Sequence, residues 1–188
     1  MLNRFYPDYY VTSAYIVPYE ELRKKGYQGI IFDIDNTLVE HGAPADDRSQ
    51  VLFTCLKQLG YRVVLLSNNK EPRVKLFNDV VQVEYIYKAG KPGRGGYQRA
   101  MEMMHTDTEH TLFVGDQLFT DVWGAKKAGI CTFLSQAIDP KEKVQIVLKR
   151  YLEKLVLFFY KKECIRKKRT YLLSDKEGVE KQWNQNQL

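Results

Sequence analysis

Ile30-Ile31-Phe32-Asp33-Ile34-Asp35-Asn36-Thr37-Leu38 is the stretch on which the reading of this chain turns. Its first residues form an apolar, β-branched run, the pattern of a strand buried on both faces of a parallel sheet. Asp33 and Asp35 stand at i and i+2 where that strand gives way to a loop. Side chains alternate faces along a strand, but at the turn both carboxylates can converge on the crevice beyond the carboxyl edge of the sheet. Open α/β folds bind their ligands in that crevice. Paired carboxylates there suit Mg²⁺ binding and aspartyl-phosphate chemistry. Taken alone, the same residues are also an ordinary strand ending in an Asp-Asn turn.

Three further pieces follow in order. Val63-Val64-Leu65-Leu66 reads as a second buried strand and ends in Ser67-Asn68-Asn69, just before a helix start near Glu71-Pro72. A hydroxyl and backbone amides in that position can hold a phosphate oxygen. Lys91-Pro92 places a cation on a loop that enters a helix. Thr111-Leu112-Phe113-Val114-Gly115 is a third apolar strand, followed by Asp116 and Asp121. Singly, each has a plain structural explanation: Ser67 as a helix cap, Lys91 as a solvated turn residue, Asp121 as a partner of a helix dipole. Their ordered combination is what points to catalysis.

In that order the pieces resemble the four motifs of haloacid-dehalogenase-superfamily phosphatases, spanning about Gly29 to Leu134. Within that superfamily Asp33-Ile34-Asp35-Asn36-Thr37-Leu38-Val39 and Gly115-Asp116-Gln117 are most similar to the subfamily IIIA branch of YqeG-like proteins. The resemblance implies that Asp33 is the nucleophile and that Asp35 serves as general acid, then general base. It implies that Mg²⁺ is ligated by Asp33, the backbone carbonyl of Asp35 and Asp116, with Asp121 as a further ligand or an orienting group. It also implies that Ser67 and Lys91 hold the non-bridging phosphate oxygens. Superfamily dehalogenases lack the second acid, so Asp35 favours a phosphatase. YqeG-like proteins are in turn similar to the mitochondrial phosphatases that make phosphatidylglycerol from phosphatidylglycerophosphate, which makes a lipid phosphate the expected substrate. The alternatives are a phosphoprotein, a nucleic-acid end or a soluble sugar phosphate. An alternative of another kind is a non-catalytic scaffold binding RNA or protein through its basic tail.

Strands and helices alternate: Ile30–Asp33, a helix to Leu59, Val63–Leu66, a helix from Pro72, Val83–Ile86, a helix from Tyr97 to Met104, Thr111–Val114, a helix from Thr120 to Ala128, and Cys131–Leu134. That alternation predicts a three-layer α/β/α fold around a parallel sheet with right-handed crossovers, the Rossmann-like architecture of the superfamily. Superfamily cap insertions fall after the first motif or between the second and third. Here Val39 to Arg62 holds a loop and one amphipathic helix, with Val51, Leu52, Cys55, Leu56 and Leu59 at helical spacing, and Asn68 to Gly90 holds a short helix and a strand. Neither leaves room for a cap domain. An uncapped site cannot close over a small metabolite unless a neighbouring subunit covers it, so the substrate is expected to be large or presented on a surface. His41 lies in the loop after the first motif and is expected to be exposed. Gly93-Arg94-Gly95-Gly96 reads as a flexible turn, the alternative being a place where backbone amides approach phosphate.

The 188 residues, 44% hydrophobic, suit one core, residues 1–139 with an aromatic N-terminal segment, followed by a basic amphipathic helix and tail at 140–188. Residues 140–188 hold 13 of the 29 Lys and Arg but 6 of the 23 Asp and Glu, so the remainder, with 16 and 17, is near neutral and offers no nucleic-acid surface. In the tail Val144, Val147, Leu148, Tyr151, Leu155 and Phe158 repeat at helical spacing, and Lys161-Lys162 and Arg166-Lys167-Lys168-Arg169 come directly after Leu155–Tyr160. Such a helix either packs on the sheet or lies on an anionic membrane surface. Phe5, Tyr6, Tyr9, Tyr10, Tyr15 and Tyr19 are similarly divided between lipid boundary and half-buried surface. Cys55, Cys131 and Cys164 carry no metal or disulfide spacing, and Cys55 and Cys131 read as core residues. No stretch has the length of a membrane span or the apolar run of a leader at the start. The expected location is cytoplasmic, with peripheral association at the inner face of the membrane.

Overall fold

The computed structural model describes residues 2–139 and 144–185, with backbone alone at 144–150 and 183–185. The expected boundary at 140 and the side chains of Val144, Val147 and Leu148 lie outside the described residues. Among the described residues six strands form one sheet: β1 (Tyr9–Val11), β2 (Gly29–Phe32), β3 (Arg62–Leu66), β4 (Glu84–Ile86), β5 (Thr111–Gly115) and β6 (Cys131–Ser135). Their order is β1-β6-β5-β2-β3-β4, and every pairing is parallel. Among the described residues seven α-helices accompany them: α1 (Tyr19–Lys24), α2 (Asp47–Gln58), α3 (Glu71–Val81), α4 (Gly95–Met104), α5 (Trp123–Lys127), α6 (Val144–Arg166) and α7 (Lys176–Gln185).

Alternation along the central strands divides the core into two layers. Ile30, Phe32, Leu65, Leu112 and Val114 face one side with Leu22, Leu52, Phe53, Leu56 and Phe77 of α1 to α3. Ile31, Val64, Leu66 and Phe113 face the other with Tyr97, Ala100, Met101 and Met104 of α4 and Ala125 of α5. The result is the three-layer α/β/α arrangement that the alternation predicts, with strands apolar on both faces because both are covered. From β2 the chain runs outward through β3 to β4, then returns to place β5 on the other flank of β2. The strand order therefore reverses between β2 and β5, and the crevice opens there.

Several details differ from the sequence reading. The aromatic N-terminus supplies the edge strand β1, paired with β6 in the register Tyr9↔Phe133 to Val11↔Ser135. β1 precedes the strand–helix alternation that marks the other strands, and its tyrosines suit a half-buried surface as well as a strand. The other aromatics pack against protein: Phe5 on Phe119 and Trp123, Tyr6 on Tyr160, Tyr9 on Phe133 and Tyr10 on Tyr171. Helix α2 buries Ser49, Leu52, Phe53 and Leu56, while Val51 and Cys55 are exposed, so Cys55 is not a core residue. Cys131 is half-buried and Cys164 is the buried one. The glycine-rich segment turns at Gly93 and Arg94 and enters α4 at Gly95; a Cβ on Gly96 would sit 2.9 Å from the Ala89 carbonyl oxygen, so glycine there permits close packing.

The tail packs on the core at several points. Val156 joins Leu118, Val122 and Leu134 in a small apolar cluster. Leu173 exchanges backbone hydrogen bonds with β1, its N–H donating to the Tyr10 carbonyl, and with Val179 it enters the main core.

Candidate active site

β2 ends at Phe32, and Asp33 takes one more backbone bond, its N–H donating to the Val114 carbonyl of β5 at 2.9 Å. That bond fixes the first aspartate against the neighbouring strand. Asn36 then turns the chain with a φ of 62°, a left-handed conformation that asparagine tolerates better than other non-glycine residues, and its N–H donates to the Val39 carbonyl. On β5 the strand runs out at Gly115, and a π-helical turn, Leu118–Val122, brings Asp121 back beside Asp116. A Cβ on Gly115 would lie 2.7 Å from Asp121 Oδ2, so only glycine permits that return.

The carboxylates of Asp33, Asp116 and Asp121 converge, each offering an oxygen within 4.8 Å of the others, and all three residues are buried. Lys91 enters between two of them. Its ammonium lies 2.5 Å from Asp33 Oδ1 and 2.7 Å from Asp121 Oδ1, with the lysine only 8% exposed. Burial pushes the Asp33 carboxyl up, to about 7, with Lys91 acting against the rise and Asp121 adding to it. On Lys91 burial acts to lower the pKa, but the charges of Asp121 and Asp33 outweigh it and hold the ammonium protonated. Three carboxylates facing one ammonium leave an excess of negative charge in a desolvated cleft. Hard oxygen donors with that excess suit a divalent cation such as Mg²⁺. Thr37 Oγ1 donates to Asp116 Oδ1 at 3.3 Å, and Tyr97 OH donates to the Asp121 carbonyl at 3.1 Å, so the ligand set is braced from outside.

Asp35 points elsewhere. Its Oδ1 accepts from Gly42 N at 2.7 Å and from Arg73 Nε and Nη2 at 3.1 and 2.9 Å, and its Oδ2 accepts from Asn69 Nδ2 at 2.7 Å. His41 Nδ1 is 3.5 Å from the same Oδ1, so this exposed histidine does reach the rim of the site. The Asp35 carboxylate is thus outside the metal-competent cluster, which leaves its backbone carbonyl as the ligand the resemblance implies. Ser67, at the end of β3 and buried, accepts from Asn69 N at 3.1 Å, leaving its own O–H to donate. Asn68 holds Lys91 at the backbone, accepting from its N–H at 2.8 Å and donating to its carbonyl at 3.0 Å.

Sequence reading placed Asn68 and Asn69 at the strand end without a firm role and did not single out Arg73. Arg73 lies one turn into α3, three residues beyond its N-cap Lys70, and no motif spacing marks it. An arginine following a Ser-Asn-Asn strand end, on a helix that starts at the crevice, is the signal that was there to read.

Comparison with known proteins bears on this geometry. A family model described as HAD-hydrolase-like matches residues 88–136. The probable phosphatase YqeG of Bacillus subtilis is 36% identical over 165 residues, covering 87% of this chain and 96% of that protein. The phosphatidylglycerophosphate phosphatase 1 of Arabidopsis thaliana is 22% identical, covering 79% of this chain but 48% of that protein. Among solved structures, a hypothetical protein from Xanthomonas campestris matches with a TM-score of 0.51 at 16% identity over 65% of this chain and 72% of that one, a likeness of fold alone.

Proposed function

The chain belongs to the haloacid-dehalogenase-type phosphatases that include YqeG, and on that premise we propose that it is a Mg²⁺-dependent phosphomonoesterase that acts on a lipid phosphate of the phosphatidylglycerophosphate type. The observation that carries the hydrolytic reading is the buried Asp33–Lys91–Asp121 cluster, with Asp116 beside it, at the strand-order reversal.

Asp33 attacks phosphorus, forming a carboxylate O–P bond as the P–O bond to the alcohol breaks, and Asp35 delivers a proton to the departing oxygen. Asp35 then takes a proton from water, the water oxygen attacks phosphorus, and the Asp33 O–P bond breaks to release inorganic phosphate. The donors around Asp35 suit the stage at which it carries charge. Lys91 transfers its ammonium from Asp33 to a non-bridging oxygen, and the Ser67 O–H donates to another. Asp33, Asp116, Asp121 and the Asp35 carbonyl would hold Mg²⁺, which when bound offsets the repulsion between the Asp33 carboxylate and a phosphate dianion.

The lipid part of the reading rests on three supports. The segment between Val39 and Arg62 holds a loop and helix α2 but no cap domain, and it meets the site at the rim through His41 and Gly42. Helix α6 exposes Tyr151, Leu152, Leu155, Phe158, Phe159 and Ile165, each 40% to 67% accessible, next to exposed Lys161, Lys162 and Arg166. No helix among the described residues is long and apolar enough to cross a membrane, so this face would dock peripherally on anionic lipid at the inner side of the membrane. The test is phosphate release from phosphatidylglycerophosphate in mixed micelles with Mg²⁺ or EDTA. Mg²⁺-dependent release supports the assignment. Release from a soluble sugar phosphate but none from the lipid would remove its lipid part.

A further inference from the structure

A cavity of about 490 Å³ lies between the end of β6, the π-helical turn and α6, and Asp116 forms part of its wall. The sheet register explains the neighbourhood. Gly115 pairs with Leu134, so Ser135 continues beside Asp116 on the adjoining strand, roughly 5 Å away by strand spacing. Ser135 is 1% exposed and its hydroxyl has no hydrogen-bond partner. A buried hydroxyl without a partner is costly, and in a cleft that cost is recovered when a ligand supplies the bond. The opposite wall comes from α6. Glu153 is buried and accepts from Leu118 N at 2.8 Å, which ties the helix to the turn that carries Asp121. One residue on, Lys154 lines the cavity with its ammonium 5.3 Å from the centre of the Tyr151 ring. Half-buried Leu157 continues the wall toward the exposed apolar face of the helix.

We propose that this cavity is the leaving-group subsite, and that it takes the alcohol part of a phosphomonoester in which a hydroxylated, glycerol-like alcohol carries a second negative charge. Ser135 bonds an oxygen of that alcohol, and Lys154 pairs with the second charge, a phosphodiester being the group of right size and sign. Any acyl chains leave along Leu157. The inference rests on the phosphatase reading of Asp33 and adds to it which alcohol the site selects. A site built to bond a substrate oxygen discriminates strongly against an analogue lacking it, because its own polar group is then stranded.

Three water-soluble esters separate the elements without a membrane: glycerophosphorylglycerol phosphate, with hydroxyls and a second charge; glycerol phosphate, with hydroxyls only; and p-nitrophenyl phosphate, with neither. Wild type is expected to show the highest kcat/KM on the first. Ser135→Ala should lower the ratio of the first to p-nitrophenyl phosphate about tenfold, mainly through KM, while its Tm stays level or rises because no hydrogen bond is lost. Lys154→Gln, at an exposed position that folding tolerates, should lower the ratio of the first to glycerol phosphate, and added salt should do the same to wild type. Unmoved ratios in both variants, with Mg²⁺-dependent hydrolysis intact, would overturn the subsite and leave the phosphatase reading standing. No Mg²⁺-dependent hydrolysis of any of the three by wild type would overturn both.

Discussion

Arg73 is the residue whose importance lies entirely in three dimensions. Two of its nitrogens converge on Asp35 Oδ1, so it fixes where the carboxylate proposed as acid and base points. Arg73→Met is expected to lower kcat by about 10- to 100-fold with KM little changed, since small misplacements of a catalytic group have effects of that order. Arg73→Lys, which keeps the charge without the fork, should recover part of the loss. A variant with full kcat would show that Gly42 and Asn69 position Asp35 unaided. Asp33, Asp35, Ser67 and Asp116 stood out in the sequence because they lie at or just past the ends of apolar strands, whereas Lys91 on its loop and Asp121 in the π turn stood out only through their order among the motifs. The roles of Arg73, Asn68 and Asn69 did not stand out, because their partners Asp35 and Lys91 are 38, 23 and 34 residues away in the chain.

Among the elements, the π-helical turn after β5 has the least tolerance. Gly115 allows Asp121 to fold back within van der Waals distance of the strand end. Gly115→Ala is expected to reduce stability by about 1–3 kcal/mol through overpacking and to raise the Mg²⁺ concentration needed for half-maximal activity. Thermal melts and a Mg²⁺ titration would check both; an unchanged Mg²⁺ requirement would mean that the turn relaxes without moving Asp121. Apolar runs and spacing had marked five of the six strands: β2 and β5 are buried throughout and β3 and β6 over most of their length, while β4 is a partly exposed edge strand placed by the strand–helix alternation. β1 escaped because Tyr9-Tyr10-Val11 lies before the strand–helix alternation begins, where its tyrosines read equally well as half-buried surface. The helix expected from Thr120 to Ala128 begins instead as the π turn, a departure from regular spacing that propensity does not encode.

At the scale of the whole molecule, the basic excess of residues 140–188 is divided in use. Arg169 is structural, its Nη2 donating to the Asp8 carbonyl at 2.8 Å, and Lys167 pairs with Glu163. Lys161, Lys162, Arg166 and Lys168 are exposed beside the apolar face of α6, Arg166 with a 3.5 Å contact to Glu163. Neutralising those four to Gln should weaken co-sedimentation with vesicles containing anionic lipid, by about 1 kcal/mol per residue near the surface, and wild-type binding should weaken with salt. Thermal stability should hold, because the structural Arg169 is kept. Equal vesicle binding by wild type and the fourfold variant would remove α6 as a membrane-docking element. The sequence left the tail divided between packing and lipid, and the structure shows why no single choice was legible: Val156 and Tyr160 face the protein, whereas Leu155, Phe158 and Phe159 face outward on the same helix.

The assignment of catalysis to the Asp33 cluster is tested most directly by phosphate release from p-nitrophenyl phosphate and from micellar phosphatidylglycerophosphate, comparing wild type with Asp33→Asn in Mg²⁺ and in EDTA. Wild type should release phosphate in Mg²⁺ and not in EDTA, and Asp33→Asn should release none in either, while it remains folded by circular dichroism. Phosphate release by Asp33→Asn at the wild-type rate would contradict the assignment.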